Sequence, residues 1–485
     1  NNWGGTIEDN SFGTHEFLNL CEMIGCEPYI SGNVGSGTVE ELAKWVEYMT
    51  SDGDTPMAKL RRQNGRDKAW KVKFLGVGNE SWGCGGNMRP EYYSDLFRRY
   101  SVYCRNYDGN QLYKIASGAS DYDYNWTKVL MDRVGHRANG ISLHYYTVTG
   151  WNGSKGSATK FSDQDYYWTM GKCLGIEDVI KKHEAIMDKA DPKKQIGLLV
   201  DEWGTWWDEE PGTVRGHLYQ QNCMRDAMVA ALSLNVFHRH CERIRMTNIA
   251  QVVNVLQSMI LTDTKGTGHM VLTPTYHVFN MYKDFQEATY LPMDVKCDSM
   301  DVRGDSHAKD GRKIPLVSTS AAKKADGSPV AMVHCNNCTS DLNAWVNLFK
   351  QYQELLGVKV DMNEVFGKLY NHALEGDADC GGLIAYNYIS GEPVTGLAEG
   401  RPMFVRSAND KFNLANFMRA NLYASVAVLK IGNDVLFKDE KVQVDRITGH
   451  GGVFENKGVG QRTLAGAHNT PFSVVVTAGG GGAWG

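Results

Sequence analysis

No run of 18 apolar residues occurs anywhere in the 485-residue chain, so none of it reads as a membrane-spanning helix. Excess charge is missing as well. The 51 Lys and Arg against 56 Asp and Glu leave a formal charge of −5, which gives no electrostatic case for nucleic acid or an anionic membrane surface. The opening NNWGGTIEDNSFG has neither the charged stretch nor the apolar core of a secretory leader, and it reads like the interior of a domain. Disulfide-framework spacing is absent too: eleven cysteines, an odd number, are scattered through the chain and predict buried thiols in a largely reduced protein. Two short patterns lack what a metal site needs. Neither His238, His240 and Cys241 nor Cys335 and Cys338 has a second pair at zinc spacing. Gly83-Cys84-Gly85-Gly86 has no phosphate-loop lysine and no GxGxxG, so phosphate binding is not expected there.

What is present is the composition of a water-soluble globular protein, 42% apolar and 22% charged, with a length that suggests two domains. Twelve Trp and 23 Tyr suit a surface that stacks sugar rings, although large cores use aromatics as well. Two segments share one design. Lys71–Glu80, KVKFLGVGNE, is an apolar run that stops at Asn79 and Glu80, and Gln195–Gly204, QIGLLVDEWG, runs into Asp201, Glu202 and Trp203. Further strands are predicted at 27–31, 113–117, 140–146 and 251–260, with helices between them. That rhythm means a parallel sheet of (β/α) type, whose active sites lie at the C-terminal strand ends. Six strands are two short of a closed eight-stranded barrel. After about 291 the pattern changes. Strands are expected at 314–322, 330–335 and 344–348, then a helix near 352–370 and weak strands near 424–437 and 472–477.

An isolated Glu80 or Glu202 is most often an ordinary strand-exit glutamate. As a pair on one parallel sheet they acquire a chemistry. Hydrolysing a glycoside with retention needs two carboxyls about 5 Å apart, one to attack the anomeric carbon and one to protonate the leaving oxygen. Asn79 would bond a substrate hydroxyl. His144, Tyr145 and Tyr146 end another strand, where a tyrosine either orients the nucleophile or simply packs. Trp206 and Trp207 line a sugar subsite or cover the rim. Gln257 is polar within an apolar run, so its amide needs either a ligand or a structural hydrogen bond.

Several of these segments are recognisable. GVGNESWGCGGNM (76–88), ISLHYYT (141–147), DEWGTWW (201–207), IAQVVNVLQSMILTD (249–263) and LTPTYHVFNMYKDFQ (272–286) strongly resemble the α-L-arabinofuranosidases of glycoside hydrolase family 51, with little interruption from about 3 to 290. The resemblance implies a (β/α)8 TIM barrel over 1–290 and an all-β sandwich accessory domain over 291–485. It also implies retaining exo-hydrolysis of terminal α-L-arabinofuranosyl units from arabinoxylan, arabinan and arabino-oligosaccharides, no cofactor and no metal, and often a hexamer. Carried over by motif, Glu80 is the acid/base, Glu202 the nucleophile, and Asn79, His144, Tyr146, Trp206 and Gln257 bind substrate. The family's first two barrel strands, which carry an arginine–proline–glycine–glycine–asparagine motif, have no counterpart before Asn1, so the barrel is expected to be N-terminally incomplete. Beyond 340 the resemblance fades. A related clan member acting on β-xylosides or β-glucans and a non-catalytic carbohydrate-binding barrel are the alternatives. The compartment stays open between cytoplasm and periplasm or exterior.

Overall fold

The computed structural model describes residues 7, 9–151, 153–263, 266–303, 311–327, 329–333, 339–389, 392, 395–397, 399–439, 441–444, 446–449, 454 and 458–474. The Cys335 and Cys338 pair lies outside them. All nine cysteines among the described residues are free thiols, but the expectation that they are buried holds only for Cys21, Cys104, Cys173 and Cys380; Cys26, Cys84, Cys241 and Cys297 are exposed.

Six strands form one all-parallel sheet in chain order: β1 (Tyr29–Gly32), β2 (Phe74–Val77), β3 (Tyr113–Ser120), β4 (Gly140–Thr147), β5 (Gly197–Thr205) and β6 (Ile244–Ile249). Parallel strands covered on both faces read as unbroken apolar runs. The GLLV that opens β5 is such a run, and β4 is buried at all eight positions although it carries Ser142, His144 and Thr147. The sheet curls as half a barrel, with β1 and β6 as its edges among the described residues.

The crossovers are helical: α1 (Thr14–Ile24), α2 (Val39–Thr50), α3 (Pro56–Gln63), α4 (Pro90–Tyr103), α5 (Tyr124–Arg133), α6 (Asp163–Ala190) and α7 (Met224–Arg239). Their starts follow sequence signals. Thr38 caps α2, accepting from the Glu41 N–H at 3.2 Å while Glu41 accepts from the Thr38 N–H at 2.7 Å. The polar stretch 59–68 contains most of α3, which starts at Pro56 behind its Thr55 cap.

One strand is corrected. Residues 251–260 are not the sixth strand of the sheet; β6 is, and it pairs with β5. The apolar run that suggested a strand holds only bridge residues before Ile260, among them Leu256 paired with Tyr219, and Val252 and Val253 are exposed. Residues Ile260–Thr262 pair instead with Met270–Leu272 in an antiparallel hairpin.

The chain divides into two units, Asn1–Gln221 with Val229–Gln257, and Asn222–Met228 with Ser258–Gly485. The expected boundary at 290 therefore falls inside the second unit. Among its described residues that unit contains further small sheets: antiparallel 289–291 with 319–323 and 329–333, 299–303 with 311–315, and 384–386 with 403–405, and parallel 447–449 with 472–474, where a strand was expected near 472–477. Beyond them its described residues are largely helical. Ser340–Leu355, Met362–Ala373 and Leu414–Asp434 pack around Leu342, Val346, Tyr370, Phe417 and Met418. The strands expected at 344–348 and 424–437 lie within the first and third of these helices. An apolar patch of five residues does not distinguish a buried helix turn from a strand. The sandwich expected of 291–485 is thus represented, among the described residues, by these small sheets.

Candidate active site

β2 ends at Val77, and the chain turns sharply so that Glu80 sits in the left-handed region, at φ 44°. A non-glycine residue holds that conformation at a cost of about 1–3 kcal/mol, so the turn around it must impose it. The N–H groups of Gly83 and Gly85 both donate to the Glu80 carbonyl, at 2.8 and 3.0 Å. A Cβ on Gly85 would stand 1.8 Å from the Asn79 carbonyl, so only glycine closes this turn. Asn79 itself is exposed and lines a hollow of about 250 Å3 with Ser31–Gly35, Cys84 and Gly85.

On β5, Glu202 lies within the strand rather than at its tip. Register explains how it meets its neighbours. Ser142 pairs with Leu199, but His144 pairs with Glu202, because β5 carries an extra residue between these pairs. A further irregularity between Val200 and Trp203 affects its pairing with β6. Such bulges re-aim side chains. Here both Asp201 and Glu202 reach the His144 ring, although adjacent strand residues ordinarily face opposite sides.

The result is an imidazole among three carboxylates. His144 Nδ1 is 2.9 Å from Glu80 Oε1 and 3.3 Å from Glu202 Oε2. Nε2 is 3.3 Å from Asp201 Oδ1, an ion-pair distance without the alignment of a hydrogen bond. Burial opposes charge on this ring, but Asp201, Glu80 and Glu202 outweigh it and push His144 up to about 10. The remaining contacts are short. Tyr146 Oη donates to Glu202 Oε1 at 2.6 Å, the Cys84 thiol to Glu80 Oε2 at 3.2 Å, and Tyr29 Oη to Asp201 Oδ2 at 2.7 Å.

These contacts separate the two glutamates. Burial raises Glu80, but the His144 hydrogen bond and charge and the Cys84 thiol leave it below its ordinary value. Burial raises Glu202 and prevails, although His144 and Tyr146 pull it down. One oxygen from each glutamate and a His144 nitrogen lie within 4.8 Å of one another, a spacing that a metal ion could bridge. The charges do not suit a metal: a ring protonated at both nitrogens has no lone pair to offer.

Outside this cluster, the Tyr146 ring packs at 5.0 Å against Trp206, which in turn meets Trp151 at 5.9 Å. Trp207 is buried, its N–H bonded to the Gln220 side chain at 2.8 Å. Gln257 is fully buried with neither amide atom hydrogen-bonded, pressed against Gly204, two residues beyond Glu202. Of the residues singled out in the sequence, Glu80, His144, Tyr146 and Glu202 are in mutual contact and Trp206 adjoins them. Asn79 flanks the cluster from the turn after β2, beside Glu80, and Gln257 from its place against Gly204. Sequence reasoning passed over Tyr29 and Cys84 and read Asp201 as a mere neighbour. The adjacency of two acids in DEW was the available signal.

Two family models cover most of the chain: the α-L-arabinofuranosidase 1 domain matches residues 1–164, and the α-L-arabinofuranosidase C-terminal domain matches 201–430. An intracellular exo-α-L-arabinofuranosidase of Bacteroides ovatus is 73% identical over 341 residues, 70% of this chain and 64% of that protein. The crystal structure of the GH51 arabinofuranosidase from Xanthomonas axonopodis pv. citri superposes with a TM-score of 0.64 at 48% identity, covering 68% of this chain and 65% of that one. An arabinose complex of the Thermotoga maritima α-L-arabinofuranosidase gives 0.54 at 26% identity, over 69% and 66%. The chain thus spans slightly less than two thirds of the length of these relatives. Over the residues that these comparisons cover, the chain belongs to glycoside hydrolase family 51, the family of the α-L-arabinofuranosidases.

Proposed function

We propose that the protein is a retaining exo-α-L-arabinofuranosidase that removes terminal, non-reducing arabinofuranosyl units from arabinoxylan, arabinan and arabino-oligosaccharides. The observation that carries this reading is the separation of Glu80 and Glu202, whose carboxylate oxygens approach within 4.8 Å. Retaining glycosidases hold their carboxyls about 5–5.5 Å apart, whereas inverting ones leave about 6.5–9.5 Å for a water. In this reading Glu202 attacks the anomeric carbon, and Tyr146 orients it. Glu80 protonates the leaving oxygen and later deprotonates the incoming water. Asn79, Trp206 and Gln257 bind the sugar, and His144, expected among the substrate ligands, serves the site through the carboxylates that both its ring nitrogens face. The unpartnered amide of Gln257 supports its part, since a buried amide without a partner is costly until a ligand hydroxyl reaches it.

The parallel order β1–β6, with its acids at the C-terminal ends, further supports a place for this sheet in a (β/α)8 barrel. Assembly as a homo-oligomer, a hexamer by family resemblance, belongs to the same proposal and is tested by sedimentation. A panel of nitrophenyl α-L-arabinofuranoside, β-xyloside and β-glucoside tests the activity. Turnover of the first alone is expected. Preference for either β-glycoside would move the assignment to another member of the clan, and sugar binding without turnover would make it a binding protein.

A further inference from the structure

Both ring nitrogens of His144 face carboxylate oxygens, which accept hydrogen bonds and donate none when ionised. The ring is 4% exposed, so no water shell can take the carboxylates' place. An imidazole in that setting keeps a proton on each nitrogen. Glu80, meanwhile, accepts from His144 Nδ1 and from the Cys84 thiol. Burial with Glu80 and Glu202 nearby pushes that thiol up to about 11, so it stays a donor. With two donors aimed at it, the Glu80 carboxylate has no proton of its own to give. Yet the role proposed for it is that of an acid. The nearest proton to Glu80 Oε1 is the one on Nδ1, 2.9 Å away.

We propose that His144, anchored by Asp201 and through it by Tyr29, stores the acid proton of the site and passes it to Glu80 as the glycoside is cleaved. The step balances. The Nδ1–H bond breaks and an O–H bond forms at Glu80 Oε1, leaving a neutral imidazole with its Nε2–H towards Asp201. Glu80 gives that proton to the leaving oxygen as the glycosidic bond breaks and Glu202 bonds to the anomeric carbon. The Glu202 charge that helped to hold the proton on Nδ1 disappears in the same event, which lowers the cost of moving it. When water releases the sugar, Glu80 takes the water's proton and returns it to Nδ1, and Glu202 regains its charge.

Asp201 and Tyr29 are positioning residues in this scheme. Tyr29 Oη, itself pushed well above its ordinary range first by burial and then by Asp201, donates to Asp201 Oδ2 and fixes the carboxylate that faces Nε2. The other titratable groups around the ring are Asp121 at the tip of β3, pushed up to about 6 by burial, with Lys172 near it; Tyr146 beside Glu202; Cys84; and Tyr93 near Asp201. None of these places a second cation against the ring.

The proposal rests on the reading of Glu80 as acid/base, and two measurements separate its failure from failure of that reading. The first uses no substrate. In full-length protein labelled with 15N-histidine, the His144 resonances are identified by their loss in His144→Gln. Imidazolium shifts at both nitrogens are expected at pH 8, where an ordinary histidine is neutral; neutral-imidazole shifts there would overturn the proposal and leave the activity untouched. The second follows the pH profile of kcat/KM on methylphenyl α-L-arabinofuranoside, a poor leaving group that needs the acid. Asp201→Asn should move the basic limb down by about one pH unit or more, and Tyr29→Phe should move it by less in the same direction. With dinitrophenyl arabinofuranoside, which needs little protonation, the limb should not move. An unchanged basic limb with methylphenyl arabinofuranoside in both variants would overturn the proposal even with a fully active enzyme.

Discussion

Tyr146 Oη lies 2.6 Å from Glu202 Oε1, and the tyrosine ring is wedged between that carboxylate and Trp206. Val148, Ala250 and Leu256 pack with it, so the hydroxyl is held in place before any substrate arrives. Hydrogen bonds to charged groups contribute about 1.5–3 kcal/mol. Tyr146→Phe should therefore lower kcat/KM for arabinofuranosides roughly 10- to 100-fold with little change in melting temperature. Wild-type kinetics in a well-folded Tyr146→Phe would remove the orienting role.

The two glutamates should respond differently to truncation. Glu202→Ala is expected to lose activity on every arabinofuranoside, with azide restoring turnover to the inverted β-azide. Glu80→Ala should lose roughly 10²–10⁴-fold on poor leaving groups and far less on dinitrophenyl arabinofuranoside. Equal losses on both substrates would show that Glu80 is not the acid.

Gly204 adopts φ +140°, and a Cβ there would stand 1.5 Å from Gln257 Nε2. Gly204→Ala should destabilise the protein by on the order of 2–4 kcal/mol, from backbone strain and overpacking together. Adding Gln257→Ala removes the overlap but not the strain, so the double variant should recover part of the loss in a denaturant melt. Full recovery would mean that the backbone conformation costs nothing.

A second histidine reports on stability rather than chemistry. His240 lies beyond α7, with Nδ1 2.7 Å from Glu184 and Nε2 3.5 Å from Glu177. Burial alone would lower it, but the two glutamates push it up to about 9 from an ordinary 6.5. A folded-state value above the unfolded one stabilises fully below 6.5, and that stabilisation is lost as pH rises through 9. The denaturation midpoint should therefore fall between pH 6.5 and 9, and His240→Gln should flatten that part of the curve. A parallel decline in both proteins would show that His240 is not its source.

A chelator is expected to leave the rate unchanged. Glu80, His144 and Glu202 have the spacing of a metal site, but the charged imidazole offers no lone pair. Inactivation by EDTA and recovery with a divalent ion would reverse this.

Much of the sheet was legible because buried parallel strands carry apolar runs, as in the GLLV that opens β5. β6 escaped notice for the opposite reason. IRMTNI is an edge strand buried fully only at Ile244, so its letters mix polar and apolar. The more apolar QVVNVLQSMI nearby drew the assignment in its place. The glutamate pair was legible from its strand contexts, but the charge cluster around His144 was not. It depends on a one-residue irregularity between β4 and β5, which no periodicity announces. In the second unit, short apolar runs at 344–348 and 424–437 suited either helix or strand, and helix length decided the outcome.

The Tyr29–Asp201 hydrogen bond also has a mechanical meaning. It joins strands four places apart in the sheet, which on a flat surface would lie about 19 Å from one another, too far for a tyrosine and an aspartate to meet. The bond is a tie-rod across the hollow of the sheet. It exists only while the bend is tight, although it belongs to no backbone ladder. Any relaxation that opens the bend by a few ångströms would leave all six strands paired and still detach Asp201 from its anchor. The bend of the sheet is therefore tied to the surroundings of one imidazole, and the proposed chemistry would be lost well before the fold.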